Sequence, residues 1–227
     1  MKKSFKLIFL QIWRLKFELV KKAILHRTSK FNLQTYLEGK NKIGAYTDIS
    51  NSYLGLGTYI GSNTYLVNSK IGRYCSIGSD IKVIFGNHPT NTFISTHPCF
   101  FSTNEQAGFT FADKNYFKEI DYSSSGNKSN LIEVGNDVWI GSNVLIQSGV
   151  KIGDGSIIGT GSLIRKDIEP FSINVGSPSR IIGYRFDFET IKYLKQNPFW
   201  EKDFEWLSKN FKNLHDIGKY KLIDKIW

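Results

Sequence analysis

The feature that most limits how this chain can fold is a repeat of six residues. Aliphatic residues recur at strict intervals of six in the second half of the chain, at Val134, Ile140, Ile146, Ile152, Ile158 and Ile164. Shorter arrays precede them, separated by one-residue deletions: Ile43 and Ile49; Leu54, Ile60 and Leu66; Ile71, Ile77 and Val83. Six residues of an α-helix rotate through about 600°, so successive aliphatic residues would share no face. The period instead predicts a triangular β-solenoid with its aliphatic side chains on the axis.

Glycine directly follows many of these aliphatic residues, as at Gly135, Gly141, Gly153 and Gly159. At the corner of a coil, glycine accommodates a bend where a Cβ atom would crowd the backbone. Stacked coils bury a continuous column of side chains, and their backbone groups pair with the coils above and below. The 227 residues suffice to bury such a core without disulfides. We therefore expect an all-β domain, a parallel β-helix, over residues 31–186.

Residues 85–131 interrupt the repeat and are rich in aromatic residues. This excursion also contains His88 and His97, two of the four histidines in the chain. A long excursion from a regular scaffold is where functional residues tend to lie. After the last array, residues 187–227 are predicted to be helical and to cover the open end of the solenoid, where strand edges would otherwise be exposed.

The net charge of +10 is concentrated in an arm over residues 1–30, which holds nine Lys or Arg and a single acid, Glu18. The folded body is left with a charge of about +2, which does not favour nucleic acid as a partner.

Residues 3–25 of this arm are predicted to form an amphipathic helix. Its apolar arc consists of Phe5, Ile8, Phe9, Ile12, Trp13, Leu15, Leu19, Val20 and Ile24. The longest uncharged run, residues 7–13, is too short to span a bilayer, and no small-residue cleavage site of a signal peptide follows it. The helix either packs on protein or contacts anionic lipid through residues 1–27. The two cysteines, Cys75 and Cys99, match neither a disulfide framework nor zinc spacing, which favours a cytoplasmic location.

Three segments stand out beside the repeat: GNHPTNTFISTHPCF at 86–100, VGNDVWIGSNVLIQSGVKIGDGSIIGTGSLIRKDI at 134–168, and VGSPSRIIGYRFD at 175–187. Together the chain resembles the hexapeptide-repeat acyltransferases, and most of all their xenobiotic acetyltransferase branch. That branch includes chloramphenicol and streptogramin acetyltransferases and many polysaccharide O-acetyltransferases. The resemblance implies a left-handed parallel β-helix, a homotrimer with active sites between subunits, and acetyl-CoA as donor, with no metal.

The same resemblance implies roles for individual residues. The family's catalytic histidine corresponds to His88, and Asn87 and His97 are candidates for contact with the acceptor. The positions implied for acetyl-CoA are Trp139 beside the cleft, Ser142 and Thr160 along the pantetheine arm, and Arg165, Lys166 and Arg180 toward the phosphates. The chain departs from the family at Gly183, where some relatives carry a basic residue, and at His97, where antibiotic-modifying members tend to have Tyr.

The expected reaction is direct acetyl transfer to a hydroxyl group of a glycan or lipid-linked sugar. A partly neutral imidazole at His88 can accept the hydroxyl proton as the oxygen attacks the thioester. Four alternatives stay open: an antibiotic acceptor, a nucleophilic Cys99, a zinc site like that of the β-helical carbonic anhydrases, and a scaffold without activity. The zinc site is disfavoured because catalytic zinc needs three protein ligands, and only His88 and His97 lie near the solenoid.

Overall fold

In the residues that the structure describes, sixteen short strands form the body of the protein. The computed structural model describes residues 2–123 and 130–224, and side chains within residues 9–222. In chain order the strands are β1 (Ile24–Leu25), β2 (Tyr36–Leu37), β3 (Lys42–Ile43), β4 (Tyr53–Leu54), β5 (Tyr59–Ile60), β6 (Ser69–Ile71), β7 (Ser76–Ile77), β8 (Lys82–Ile84), β9 (Ile132–Val134), β10 (Trp139–Ile140), β11 (Leu145–Gln147), β12 (Lys151–Ile152), β13 (Ile157–Ile158), β14 (Leu163–Ile164), β15 (Ser172–Val175) and β16 (Arg180–Tyr184).

The strands form three faces of a solenoid. Face A contains β1, β3, β5, β7, β10, β13 and β15 in parallel, and β16 pairs antiparallel with β15. Face B contains β8, β11 and β14, and isolated bridges extend it through Lys30, Asp48 and Tyr65 to Lys82. Face C contains β2, β4, β6, β9 and β12. The excursion leaves face B after Ile84 and rejoins the solenoid on face C at Ile132.

The aliphatic column predicted by the repeat is confirmed. Every residue of the predicted arrays between Ile43 and Ile164 is at most 4% exposed. At the corners the coils touch through backbone, as at Gly72, where a Cβ atom would lie 2.5 Å from the carbonyl oxygen of Gly135 in the next coil. Hydroxyl side chains form hydrogen bonds with the backbone groups of the turns. For example, Thr58 Oγ1 donates to the Gly72 carbonyl oxygen and accepts from the Cys75 N–H. Close stacking of coils therefore rests on small residues at the corners.

The N-terminal helix is shorter than predicted. Helix α1 (Lys2–Leu15) continues as a π-helical turn (Lys16–Val20) and stops there, so the helix predicted over residues 3–25 is too long. Strand β1 pairs with β3, because Leu25, Phe31 and Leu37 carry the six-residue spacing back from Ile43. The first coil, residues 24–41, thus lies partly inside the predicted arm. Within the described ranges, no helix is both long and apolar enough to cross a membrane.

The C-terminal segment lies along one corner of the solenoid. Its helices are α2 (Phe188–Gln196), α3 (Phe204–Asn210) and α4 (Ile217–Asp224), with single 3-10 turns at Phe199–Glu201 and Phe211–His215. Arg73 Nη1 donates to the carbonyl oxygen of Trp200, the Trp200 ring packs near Phe171, and Lys40 Nζ lies 4.1 Å from the centre of the Phe204 ring. These contacts follow the corner between faces C and A across several coils, whereas the sequence predicts a cover over the open end. Residues 225–227 of the predicted segment lie outside the described residues.

Candidate active site

His88 lies on the surface of the excursion with its ring held by the backbone. Its Nδ1 atom is 2.7 Å from the carbonyl oxygen of Thr96. A carbonyl can only accept, so Nδ1 carries the proton and Nε2 keeps its lone pair in the neutral ring. The ring is exposed, which leaves Nε2 open to a proton donor. Sequence reasoning missed Thr96, since no side-chain pattern marks which carbonyl a loop brings to a histidine.

An aromatic cluster centred on the buried Phe101 supports the His88 ring. Phe101 is fully buried, and its ring centre lies 6.0 Å from that of His88 in an edge-to-face arrangement. Phe93 and Phe117 pack against Phe101 at 6.1 Å and 5.6 Å. Edge-to-face contacts of this kind favour one ring orientation. The cluster therefore fixes where His88 sits on the loop surface.

Asn87, predicted to contact the acceptor, joins the two ends of the excursion. Its backbone N–H donates to the Glu119 carbonyl oxygen at 2.7 Å, and its side-chain Nδ2 donates to Asp121 Oδ2 at 2.9 Å. Lys118 forms an ion pair with the same carboxylate at 3.1 Å. In this arrangement Asn87 positions His88, the next residue in the chain. Contact of Asn87 with an acceptor stays a prediction.

His97 forms a local pair with Cys99. The Cys99 N–H donates to His97 Nδ1 at 3.3 Å, and the Cys99 Sγ atom lies 2.9 Å from the same nitrogen. Because Nδ1 accepts, the proton of the neutral ring is on Nε2, the opposite tautomer to His88. The sequence alone indicates no fixed partner for Cys99. In the structure, His97 is its partner. Cys99 is only 4% exposed, which limits access of a substrate to the thiol, whereas the imidazole of His97 is placed to accept its proton, so Cys99 stays open as an alternative nucleophile.

Three predicted phosphate-binding residues line one cleft. The cleft has a volume of about 530 Å³ and is also lined by Asn174, Pro178, Ser179 and Asp167, whose carboxylate accepts from the Lys151 N–H. Its basic residues are Arg165 and Lys166 after β14 and Arg180 at the start of β16. None of the three forms an ion pair with any residue that the structure describes. Unpaired guanidinium and ammonium groups around one cleft suit an anionic ligand.

The other predicted cofactor residues lie around the corner between faces A and B. Ser142 Oγ accepts from the Ser79 N–H at 3.2 Å, and the Thr160 hydroxyl lies above Gly141. Trp139 points outward from face A and is more than half exposed. These side chains form one strip along the solenoid, as expected for an extended ligand.

One chain does not bring His88 to this strip. Ser142 precedes β11 at the corner between faces A and B, whereas His88 follows β8 at the far end of face B. Face B therefore separates the candidate base from the candidate cofactor residues.

A cleft of about 660 Å³ on face C contains none of the predicted site residues. At its edge Glu38 accepts from Arg73 Nε at 2.7 Å and from the Tyr53 hydroxyl. Burial raises the pKa of Glu38, but the hydrogen bonds from Arg73, Tyr53 and the Leu56 N–H outweigh it, so the pKa lies below its usual value. In the described part of the chain, no group of three or more His, Cys, Asp or Glu is arranged to hold a metal ion.

Comparison with known proteins identifies the family. The bacterial transferase hexapeptide family, described by six repeats, matches residues 132–166, and its repeat implies the left-handed winding expected from the sequence. A galactoside acetyltransferase solved in complex with coenzyme A is 22% identical, with 84% of this chain and 76% of that chain covered. Its TM-score of 0.45 is too low to bear on the substrate of this chain.

Three chloramphenicol acetyltransferases are more similar in sequence. The Agrobacterium fabrum enzyme is 39% identical over 57% of this chain, and the match spans only 58% of that enzyme. The Escherichia coli enzyme is 32% identical over 70% of this chain and 75% of its own length. The Klebsiella aerogenes enzyme is 32% identical over 72% of this chain and 77% of its own length. Since this identity extends over three quarters of two relatives, the chain belongs to the hexapeptide-repeat acetyltransferases.

Proposed function

We propose that this protein transfers an acetyl group from acetyl-CoA to a hydroxyl group of a glycan or lipid-linked sugar. The observation that carries the proposal is the 2.7 Å contact between His88 Nδ1 and the Thr96 carbonyl oxygen. That contact leaves Nε2 as a proton acceptor on an exposed ring, which is what a general base for a hydroxyl needs. Membership of the acetyltransferase family supports the reaction class.

In this mechanism His88 moves one proton twice. Nε2 takes the proton from the acceptor hydroxyl while its oxygen bonds to the acetyl carbonyl carbon. The Thr96 carbonyl oxygen holds Nδ1–H and stabilises the imidazolium that forms. The imidazolium then returns the proton to the sulfur as the bond between carbon and sulfur breaks. An N–H donor near the acetyl group stabilises the oxyanion in between, and no acyl-enzyme forms.

Acetyl-CoA would supply the thioester, and the residues of this chain suit its charge. Arg165, Lys166 and Arg180 surround one cleft and have no acidic partner among the described residues, as required for binding phosphates. Trp139, Ser142 and Thr160 continue the strip toward the pantetheine arm.

We propose that the active unit is a homotrimer in which His88 of one copy meets the strip of the next. The strand residues whose side chains point away from the solenoid axis support contact between copies through faces A and B. In the two coils after the excursion, the outward positions carry Trp139 and Ile157 on face A, Leu145 and Leu163 on face B, and Glu133 and Lys151 on face C. Apolar residues on A and B favour burial between copies, while the charged row on C favours solvent.

A second candidate acceptor is an antibiotic hydroxyl, as in chloramphenicol or a streptogramin. The observation that favours it is the similarity of this chain to three chloramphenicol acetyltransferases at 32–39% identity. The same base and donor would serve either acceptor. Exposed aromatic rings in the excursion, such as Phe100, Phe109 and Phe111, can stack on a sugar or on an aryl ring.

The test is mass spectrometry of an acceptor panel incubated with acetyl-CoA and either wild-type protein or His88→Ala. The panel contains bacterial surface glycans, lipid-linked sugars, amino sugars, chloramphenicol and a streptogramin. We expect an acetyl adduct on a glycan, formed about a thousandfold more slowly by the variant. His26→Ala is the matched control, since His26 is also exposed but lies on the first coil. An adduct on a drug alone would favour the second candidate, and full activity in His88→Ala would contradict the mechanism.

A further inference from the structure

The N-terminal helix is fixed to the first coil by one side. Phe17 is buried in the core, with its ring centre 6.0 Å from that of Trp13 and 5.7 Å from that of Phe31. Arg14 donates to the carbonyl oxygens of Leu25, His26 and Ser29 at 3.1, 3.3 and 3.4 Å. Neither Phe17 nor Arg14 belongs to the apolar arc predicted from the sequence. Trp13 is the member of the predicted arc that packs here, so the side that holds the helix overlaps the arc at Trp13 and is otherwise different among the described side chains.

Most of the described part of the predicted arc is left in solvent. The side chains that are each more than half exposed are Phe9, Ile12, Leu15, Leu19 and Val20, with Ile24 beside them at the start of β1. At 100° per residue Phe9, Ile12 and Leu15 fall within about 120° of one another, away from Phe17. A contiguous exposed apolar surface of this kind marks an interaction site. We call it the arm face.

Positively charged residues accompany the arm face in the sequence. Lys16 follows Leu15, with its Nζ atom 4.4 Å from the centre of the Trp13 ring, and Lys22 and Arg27 are exposed and lie within three residues of Val20 and Ile24. The one acid of residues 1–30, Glu18, is paired with Arg14 at 3.4 Å. An isologous contact between two copies would bring together two arms that each carry a charge of +8, which disfavours it.

We propose that the arm face docks on a membrane surface rich in anionic lipid. Its exposed apolar side chains would enter the headgroup region while Lys16, Lys22 and Arg27 contact lipid phosphates. Trp13, Phe17 and Arg14 would stay on the solenoid and hold the whole body against the surface. The docking requires no acetyl transfer, so it stands or falls separately from the proposed function.

The experiment measures binding of the full chain to lipid vesicles by co-sedimentation. Vesicles of phosphatidylglycerol mixed with phosphatidylcholine are compared with vesicles of phosphatidylcholine alone, at low and high salt. We expect the double variant Ile12→Ser/Leu19→Ser to bind anionic vesicles at least about tenfold more weakly than wild type, since two apolar side chains are lost from the contact. The matched control, Phe188→Ser/Leu222→Ser, removes two apolar side chains that are also more than half exposed, from the C-terminal helices, and should bind as wild type.

A charge variant tests the same surface without removing apolar groups. Lys16→Glu/Arg27→Glu should weaken binding to anionic vesicles by about tenfold or more, and binding should fall as salt rises. All substituted residues are exposed, so we expect unchanged melting temperatures. Wild-type protein that fails to bind phosphatidylglycerol vesicles, or serine variants that bind as wild type, would overturn the proposal. A change of oligomeric mass in Ile12→Ser/Leu19→Ser without vesicles would also overturn it, since the arm face would then be a contact between copies.

Discussion

The solenoid and the excursion are held in shape by different kinds of contact. In the solenoid, backbone meets backbone at several corners, as between Gly72 and Gly135. In the excursion, side chains hold the loop through ring contacts around Phe101 and through hydrogen bonds such as that from Asn87 to Asp121. Backbone stacking repeats and tolerates little change, whereas side-chain contacts can differ at every position. The solenoid therefore supplies rigidity, and the excursion can vary its chemistry without loss of the fold.

The largest loss of stability is expected from a substitution at a solenoid corner, where backbone contacts hold the coils together. A Cβ atom at Gly72 would lie 2.5 Å from the Gly135 carbonyl oxygen and 2.6 Å from Asn136 Oδ1. Since the next coil must move, Gly72→Ala should lower the free energy of unfolding by about 3 kcal/mol. Gly183→Ala is the control, because no atom lies within 4 Å of its added Cβ. Chemical denaturation measures both, and equal stability of the two variants would contradict tight stacking of the coils.

A smaller effect is expected at the ion pair on the edge of face C. Glu38→Gln removes the charge that accepts from Arg73 and Tyr53 and should cost about 2 kcal/mol at pH 7. Because the pKa of Glu38 is lowered in the folded state, this stabilisation is present above the unfolded pKa and is lost as pH falls through the folded one. The difference between wild type and variant should therefore shrink below about pH 4.

The control for this pair is Glu205→Gln. Glu205 contacts Lys209 at 2.7 Å, but both side chains are mostly exposed, so we expect little change in stability. Denaturation curves at several pH values compare the two variants. A difference between wild type and Glu38→Gln that does not depend on pH would contradict the assigned role of the carboxylate.

The same contrast explains which parts of the fold could be predicted. Burial of the aliphatic arrays follows from their period alone. The sequence assigns residues 24–30 of the first coil to the arm, because His26 and Glu38 follow Leu25 and Leu37, where later coils place glycine, and because Phe31 stands at an aliphatic position. Without a glycine after Leu25 to mark a corner, the apolar residues up to Ile24 fit the pattern of an amphipathic helix.

The site is predictable only where a family motif marks it. His88 and the basic trio of the phosphate cleft follow from the resemblance, and the structure places Arg165, Lys166 and Arg180 together. The Thr96 carbonyl and the pairing of His97 with Cys99 depend on how a non-repeating loop closes, which no spacing encodes. The course of the C-terminal helices likewise depends on single contacts, such as that between Arg73 and the Trp200 carbonyl oxygen.

Two buried phenylalanines give a direct comparison of the regions. Phe101→Leu weakens the cluster under His88 and should lower kcat/KM about tenfold, equivalent to about 1.4 kcal/mol. Phe171→Leu, at an equally buried position beside the C-terminal helices, should lower the melting temperature and leave kcat/KM nearly unchanged. Steady-state kinetics and thermal unfolding on both variants make the measurement. If Phe171→Leu impaired activity as much as Phe101→Leu, support of His88 would not be specific to the excursion.

The smallest effect is expected at the two buried cysteines, one in each region. In Cys99→Ser the hydroxyl can still donate to His97 Nδ1, and in Cys75→Ser it can still donate to the Gly135 carbonyl oxygen that Sγ contacts at 3.1 Å. Burial raises the pKa of Cys75 to about 12, so that thiol stays neutral. Both variants should keep kcat/KM within about threefold of wild type, because each hydrogen bond is retained. A nucleophilic Cys99 would instead lose activity by orders of magnitude on substitution with serine, while Cys75→Ser stayed active. Kinetics on this pair therefore distinguish direct transfer through His88 from a covalent route through Cys99.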